Sequence, residues 1–264
     1  MAHIELQGVT KRFNRGKGDL VSGLNDVNLS IEKGEVIGVI GTNGAGKSTL
    51  FNCLSGQIKL DEGQIYLGNH EISSLKPMEI ARNIGRVFQD PRMGTAPRMT
   101  VFENLMLARK RGENRLFGRS LTERNYQEMV EYLKPFRLDL EKRLDVPIEN
   151  LSGGQRQTIS LVMATLQQPE LLLLDEHTAA LDPRTAKQVM AMTQDIVKKL
   201  NLTTLMITHH LQDALTYSDR IIVMHQGQIS KIFTKDEIPK LTAADLFSTI
   251  EHLSGFENGV AIED

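Results

Sequence analysis

An uninterrupted apolar run, Val36-Ile37-Gly38-Val39-Ile40, feeds straight into Gly41-Thr42-Asn43-Gly44-Ala45-Gly46-Lys47-Ser48-Thr49. Apolar residues without alternation are the pattern of a strand buried on both faces. The stretch from Lys47 to Ser55 reads as a helix. Strand, glycine-rich loop and helix in that order are the context in which the G-x-x-x-x-G-K-[ST] pattern means a phosphate-binding loop, or P-loop. Glycines let the backbone curl so that its N–H groups aim at phosphate oxygens, and the helix N-terminus adds positive potential. Lys47 is placed to reach β- and γ-phosphates as a point charge, and the Ser48 hydroxyl suits Mg²⁺. A plain tight turn before a helix is the alternative, and the flanking strand argues against it.

The rest of the chain organises around that unit. Ile4 to Thr10 and Asp26 to Ile31 alternate apolar and polar residues and predict an antiparallel sheet. Between Gln89 and Leu151 strand signals are weak, and Tyr126, Met129, Val130 and Leu133 recur at helical spacing, which predicts a helical insertion. Gln155 to Gln168 predicts a further helix stopped by Pro169. Leu171–Leu174, Thr204–Ile207 and Ile221–Met224 read as buried strands separated by helical stretches, the pattern of a mostly parallel sheet covered on both faces. After Ile232 the chain carries short helical patterns, too short for a separate regulatory domain. No internal repeat or low-complexity segment is present.

Bulk properties exclude several classes. At 264 residues with 40% hydrophobic and 24% charged residues, the chain is an ordinary globular length and composition. A net charge of -2 gives no electrostatic reason for general nucleic-acid binding. Cys53 stands alone, so no intramolecular disulfide forms, which suits a reducing cytoplasm. The opening Met1-Ala2-His3-Ile4-Glu5-Leu6-Gln7 lacks a signal-peptide pattern, and no apolar stretch is long enough to span a bilayer. Any service to a membrane runs through a partner chain.

Two further motifs stand downstream of the loop. Leu171-Leu172-Leu173-Leu174-Asp175-Glu176 is an apolar strand closed by two acids, and Leu151-Ser152-Gly153-Gly154-Gln155 opens a helix. The ordered set resembles the nucleotide-binding subunit of an ATP-binding cassette (ABC) transporter over almost the whole chain. The resemblance implies an α/β fold: a P-loop NTPase core with a mostly parallel sheet, an antiparallel β portion and an α-helical insertion. It implies one domain over 1–264, with the core at 1–89 and 152–235, the insertion at 90–151 and a short helical tail at 236–264. It also implies binding of ATP and Mg²⁺ and hydrolysis to ADP and phosphate.

Within the resemblance, Gly41 to Thr49 hold phosphates, and Asp175 holds Mg²⁺ with Ser48 and Gln89. Glu176 is the general base that polarises the attacking water, in a phosphoryl transfer that otherwise needs positioning and charge stabilisation. Ser152, Gly153, Gly154 and Gln155 form the signature, which closes over the γ-phosphate of the opposite subunit and so implies a head-to-tail dimer. A helix N-cap at Ser152 is compatible with that role. Gln89 stands at the Q-loop position, or is an ordinary loop amide. His209 matches the switch histidine that contacts the γ-phosphate, with His210 as its neighbour, and Asp182 matches the D-loop that crosses the dimer seam. Phe13 matches the aromatic that stacks on adenine; packing within the N-terminal sheet is the other reading.

Most family members carry proline after the acid pair, where this chain has His177. The segment Asp175 to Asp182 resembles a bacterial subgroup of uptake systems; His177 reads as a tolerated turn residue, with a chemical role as the alternative. Arg109-Lys110-Arg111, with Arg115 and Arg119, reads as a solvated loop between helices or a site near anionic lipid headgroups. Arg15 to Asp19 reads as an exposed loop, and the 11 methionines read as core filling. Implied partners are transmembrane permease subunits, a second copy or a paralogous ATPase subunit, and an external substrate-binding protein. The place implied is the inner face of the cell membrane, on the cytoplasmic side. A non-transport ABC ATPase of DNA repair or translation is the rival reading. Long heptads, paired cysteines and a second cassette, which such proteins carry, are missing.

Overall fold

The computed structural model describes residues 3–14, 20–112, 120–136 and 139–255. The chain forms two compact units, one of Met1–Pro77 with Thr203–Asp264 and one of Met78–Leu202.

In the first unit, β1 (Ile4–Asn14) and β2 (Leu20–Ile31) pair antiparallel and run further than their alternating cores at 4–10 and 26–31. β1 lies between β2 and β4 (Glu62–Leu67), with β5 (His70–Glu71) beyond β4. Register sets Ile4 opposite Ile31 and Leu67, and Leu6 opposite Leu29 and Ile65. All of these are buried, so a one-residue slip would turn an apolar face to water.

β3 (Val36–Gly41) lies between β8 (Thr203–Ile207) and β9 (Arg220–His225) and is parallel to both; β10 (Gln228–Phe233) pairs antiparallel with β9. Residues 37 to 41 of β3 are all buried, so both of its faces are covered, and that explains its unbroken apolar run. α1 (Lys47–Leu54), α7 (Leu211–Tyr217) and α8 (Ala243–Gly255) complete the unit. Ile40, Ala214, Ile221, Val223, Phe233 and Leu246 share one buried cluster. α8 is thereby docked on the core through Leu246.

The second unit holds α2 (Pro77–Asn83) and β6 (Ile84–Val87), which pairs parallel with β7 (Leu171–Asp175). Between these strands come α3 (Val101–Arg109), α4 (Glu123–Leu133) and α5 (Gly153–Thr165), and α6 (Pro183–Leu200) follows β7. A capping box starts α3: Thr100 Oγ1 accepts from the Glu103 N–H, and the Glu103 carboxylate accepts from the Thr100 N–H at 2.8 Å. Val101, Leu105, Met129, Leu133, Leu140, Leu144 and Ile148 form a core that also takes Ile159 and Val162 of α5. The 90–151 region therefore shares its core with the helix that follows it. α5 itself starts earlier and ends earlier than 155–168, because Ser152 caps it and Gln168 adopts the left-handed region at φ 51°.

Two surface expectations are corrected. Met106, Met129, Met190, Met206 and Met224 are core residues, but Met78 and Met93 are 59% and 71% exposed. The basic cluster opens with anchored groups rather than a solvated loop. Arg109 pairs with Glu128 at 3.0 Å, and Arg111 donates to the Ala164 carbonyl at 3.1 Å, with burial lowering its pKa. Arg115, Arg119 and the Arg15–Asp19 segment lie outside the described residues. Among the described residues no helix is long and apolar enough to cross a membrane.

Candidate nucleotide site

The P-loop leaves the end of β3 and enters α1. Gly46 is the N-cap of α1 at φ 102°, and a Cβ there would sit 2.4 Å from the Gly23 carbonyl oxygen, so only glycine fits. No side chain caps α1, and its first turn holds no acid. Helix geometry leaves the N–H groups of that turn without intrahelical acceptors, which makes it an anion site. Lys47 is buried and its Nζ donates to the carbonyls of Gly41 at 2.7 Å and Thr42 at 2.9 Å. The ammonium is thus held inside the curve of the loop. A clamp that the sequence did not reveal comes from the turn between β9 and β10. Gly227 donates to the Ala45 carbonyl at 3.0 Å and accepts from the Asn25 N–H at 2.9 Å.

Phe13 lies on β1 opposite Val21 and is 36% exposed. Its ring covers Gly23: a Cβ on Gly23 would meet Phe13 Cε2 at 2.4 Å and the Thr49 methyl at 3.1 Å. One edge of an aromatic ring therefore borders the first turn of α1. His209 leaves the end of β8, and because Val39 pairs with Ile207 its strand ends beside the P-loop strand. His209 and His210 are both exposed. His210 is the N-cap position of α7 and donates its N–H to Thr208 Oγ1 at 3.0 Å.

In the second unit, Val87 pairs with Leu174, so Gln89 and the Asp175–Glu176 pair leave parallel strands at the same edge. Gln89 is exposed. Asp175 Oδ2 accepts from Arg86 Nη2 at 2.6 Å. Glu176 occupies the left-handed region at φ 47°, a conformation that costs a non-glycine residue about 1 kcal/mol or more and concentrates at functional sites. The turn after it closes through Ala179 N–H to the Glu176 carbonyl at 2.9 Å. Asp182 ends the turn as the N-cap of α6, and hydrogen bonds from the Thr185 side chain and N–H hold its carboxyl below the usual range.

His177 sits in this turn at 2% exposure, with Nε2 3.0 Å from Thr193 Oγ1. The Thr193 hydroxyl donates to the Val189 carbonyl at 2.8 Å, so its oxygen accepts and Nε2 carries the proton. Burial pushes this imidazole down to about 4. It is a neutral strut between turn and α6.

At the signature, Ser152 Oγ accepts from the Gln155 N–H at 3.3 Å and Gln155 Oε1 accepts from the Ser152 N–H at 3.2 Å, a second capping box. Ser152 and Gly153 are exposed. Gly154 packs so closely on α6 that a Cβ would meet Thr185 Cγ2 at 2.3 Å. The first turns of α5 and α6 are therefore one packed unit, and with it the signature and Asp182. Two positions that no motif marked support the Q-loop side. Gln157, 1% exposed, donates to the Phe88 carbonyl at 3.1 Å. Asn104, fully buried, binds the Ala96 N–H and the carbonyls of Ala96, Met99 and Thr100. Arg86, Met93, Asn104, Leu107, Ser160 and Met163 are among the residues that line an open groove of about 330 Å³ beside this loop.

The donor groups marked for a metal are a hydroxyl, an amide and one carboxylate. Hard oxygen donors with a single acid suit Mg²⁺, which takes one or two carboxylates and completes its shell with phosphate oxygens and water. No cluster of three or more His, Cys, Asp or Glu suited to a metal occurs among the described residues.

The sequence pattern of the ABC transporter family matches residues 24–179, more than half of the chain. The chain belongs to the ABC transporter family. It is similar to the tyrosine transport ATP-binding protein of Clostridioides difficile (strain R20291), with 41% identity over 94% of this chain and 99% of that protein. It is 37% identical to the phosphonates import ATP-binding protein PhnC of Lactococcus lactis subsp. cremoris (strain SK11), over 90% of this chain and 95% of that one. Among solved structures it resembles a dimeric ATP-binding cassette in a post-hydrolysis state bound to ADP and Pi, with a TM-score of 0.75 and 28% identity over 88% of this chain and 98% of the other. This ABC cassette is an ATP-binding, ATP-hydrolysing subunit.

Proposed function

We propose that the chain drives import of an amino acid through separate permease subunits, from the inner face of the membrane, by hydrolysing ATP in a head-to-tail dimer. The observation that carries the reading is the exposed first turn of α5. Gly153, with Ser152 as the cap before it, presents bare backbone to solvent at a helix start, an anion site additional to that of α1. A subunit has one ATP of its own, so the second site serves the nucleotide of a partner copy. The packed pair of Gly154 and Thr185 carries Asp182 to the same seam.

In this reading Gly41 to Thr49 cradle the phosphates, Phe13 meets the adenine face, and Lys47 offsets β/γ charge. Ser48, Gln89 and Asp175 would hold Mg²⁺, which offsets phosphate charge when bound. Glu176 takes the proton of the attacking water, and His209 contacts the γ-phosphate. The groove beside Gln89 receives a permease segment: exposed Met93 gives it an apolar lip, and its wall continues into the loop ordered by Asn104. An amino acid as cargo is supported by the identity to the tyrosine transport protein over nearly its full length. An external binding protein delivers it.

The test is uptake by vesicles holding the chain with its permease and binding protein. Labelled tyrosine should accumulate only with ATP on the cassette side, and unlabelled phosphonate should not compete. Uptake that ignores tyrosine would overturn the cargo, and ATP turnover indifferent to the loaded binding protein would overturn the import role.

A further inference from the structure

Arg86 belongs to two places at once. Its Nη2 donates to Asp175 Oδ2 at 2.6 Å, while the same side chain lines the groove beside the Q-loop. The two side chains are only 9% and 17% exposed, so the pair acts in a medium less polar than water. The guanidinium carbon also stands 4.7 Å from the Phe88 ring centroid, which fixes the fork between ring and carboxylate. Arg111 lines the same groove, and its buried Nε has no hydrogen-bond partner.

We infer that Arg86 links occupation of the groove to divalent-cation affinity at Asp175. The inference rests on the proposed reading of Asp175 as the metal-holding acid and of the groove as the permease dock. A fixed positive charge beside a carboxylate lowers the negative potential that a divalent cation meets there. The groove walls carry two guanidinium groups, Arg86 and Arg111, so the occupant its charge favours is a segment bearing an acid. That acid pairs with Arg86, loosens its hold on Asp175 and raises the affinity of Asp175 for the cation. Linkage is reciprocal, so the cation at Asp175 strengthens docking by the same factor. Arg86 is a positioning residue in this scheme, because it acts through Asp175 and touches no reacting atom.

The experiment is a Mn²⁺ titration read by the electron paramagnetic resonance of the free ion, with a non-hydrolysable ATP analogue present. In the isolated subunit Arg86→Gln should bind Mn²⁺ about tenfold more tightly than wild type, the scale of removing one nearby charge at intermediate dielectric. Arg86→Lys keeps the charge and should stay within about twofold of wild type. In the assembled permease complex wild type should gain affinity over the isolated subunit, and Arg86→Gln should gain none. Unchanged or weaker Mn²⁺ binding by Arg86→Gln overturns the linkage. If that variant does not fold, equal affinity of wild type in the isolated and assembled states overturns it instead. Asp175→Asn separates the two layers: if it leaves Mn²⁺ affinity intact, the metal assignment beneath the inference has failed, whereas its loss of affinity with an unresponsive Arg86→Gln condemns the linkage alone.

Discussion

Gln157 of the signature helix donates its amide N–H to the carbonyl of Phe88 at 3.1 Å, one residue before Gln89. A buried side chain thereby ties the helix that begins at Gly153 to the strand end that aims the Q-loop. Replacing it with leucine strands the Phe88 carbonyl. A buried acceptor left unpaired costs about 1–3 kcal/mol, so Gln157→Leu should lower the unfolding midpoint by several degrees. Turnover should fall while the Kd for ATP holds, because the P-loop is untouched. Thermal unfolding and phosphate release, measured with a nucleotide titration, check both parts.

Lys47 donates to two carbonyls of its own loop and supplies the charge there. Lys47→Ala removes both, and ATP binding itself should weaken by at least tenfold, the scale of a lost charge-assisted contact. Equal ATP affinity of Lys47→Ala and wild type in a calorimetric titration would contradict its placement on the phosphates.

Much of this was legible in the sequence because its signals are local. The P-loop needs closely spaced glycines between a buried strand and a helix, and Val36 to Thr49 spells out all three. Ser152 and Gln155 announce a helix start by spacing alone. What stayed hidden depends on residues far apart in the chain. Nothing in Arg86 or Asp175 separately predicts an ion pair across 89 positions. Gly227 clamps Ala45 only because β9 and β10 turn beside the loop. Asn104 looks like an ordinary helix residue until its four hydrogen bonds are placed. The packing of Ile159 and Val162 against Val101 and Leu105 is likewise a tertiary fact. In the sequence His177 reads as a turn residue, which its position bears out, but its burial against Thr193 is set by α6.

That burial carries a pH signature. Burial holds the imidazole at about 4 in the fold, against an ordinary 6.5. The unfolded chain therefore binds the proton more readily, so stability is complete above pH 6.5 and is lost as pH falls towards 4. The two values imply roughly 3 kcal/mol over that window. His177→Gln should flatten this part of the profile, and chemical denaturation at stepped pH measures it. A wild-type stability that is level from neutral pH down through this range would show that the ring stays accessible to protons.

Gly154 leaves no room for a side chain against Thr185. Gly154→Val should force α5 and α6 apart, at about 1–3 kcal/mol for overpacking, and displace Ser152 and Asp182 together. Nucleotide-driven dimerisation should be lost while monomer ATP binding remains. Pairing the substitution with Thr185→Ala, which opens space, should restore part of it; no restoration would locate the clash elsewhere.

In the proposed cycle Glu176 takes the proton of the attacking water at the nucleotide shared by two copies. Its left-handed backbone fixes where the carboxylate leaves the end of β7. Glu176→Gln keeps size and much of the hydrogen bonding but removes the charge. The decisive measurement is phosphate release by the complete permease complex carrying this substitution, alongside light scattering of the subunit with and without ATP. ATP binding should persist, turnover should fall by roughly two or more powers of ten, the usual weight of general-base assistance, and an ATP-bound dimer that depends on Ser152 and Gly154 should accumulate. Turnover at the wild-type rate in that complex would remove Glu176 as the base and return the role to Asp175 or His209.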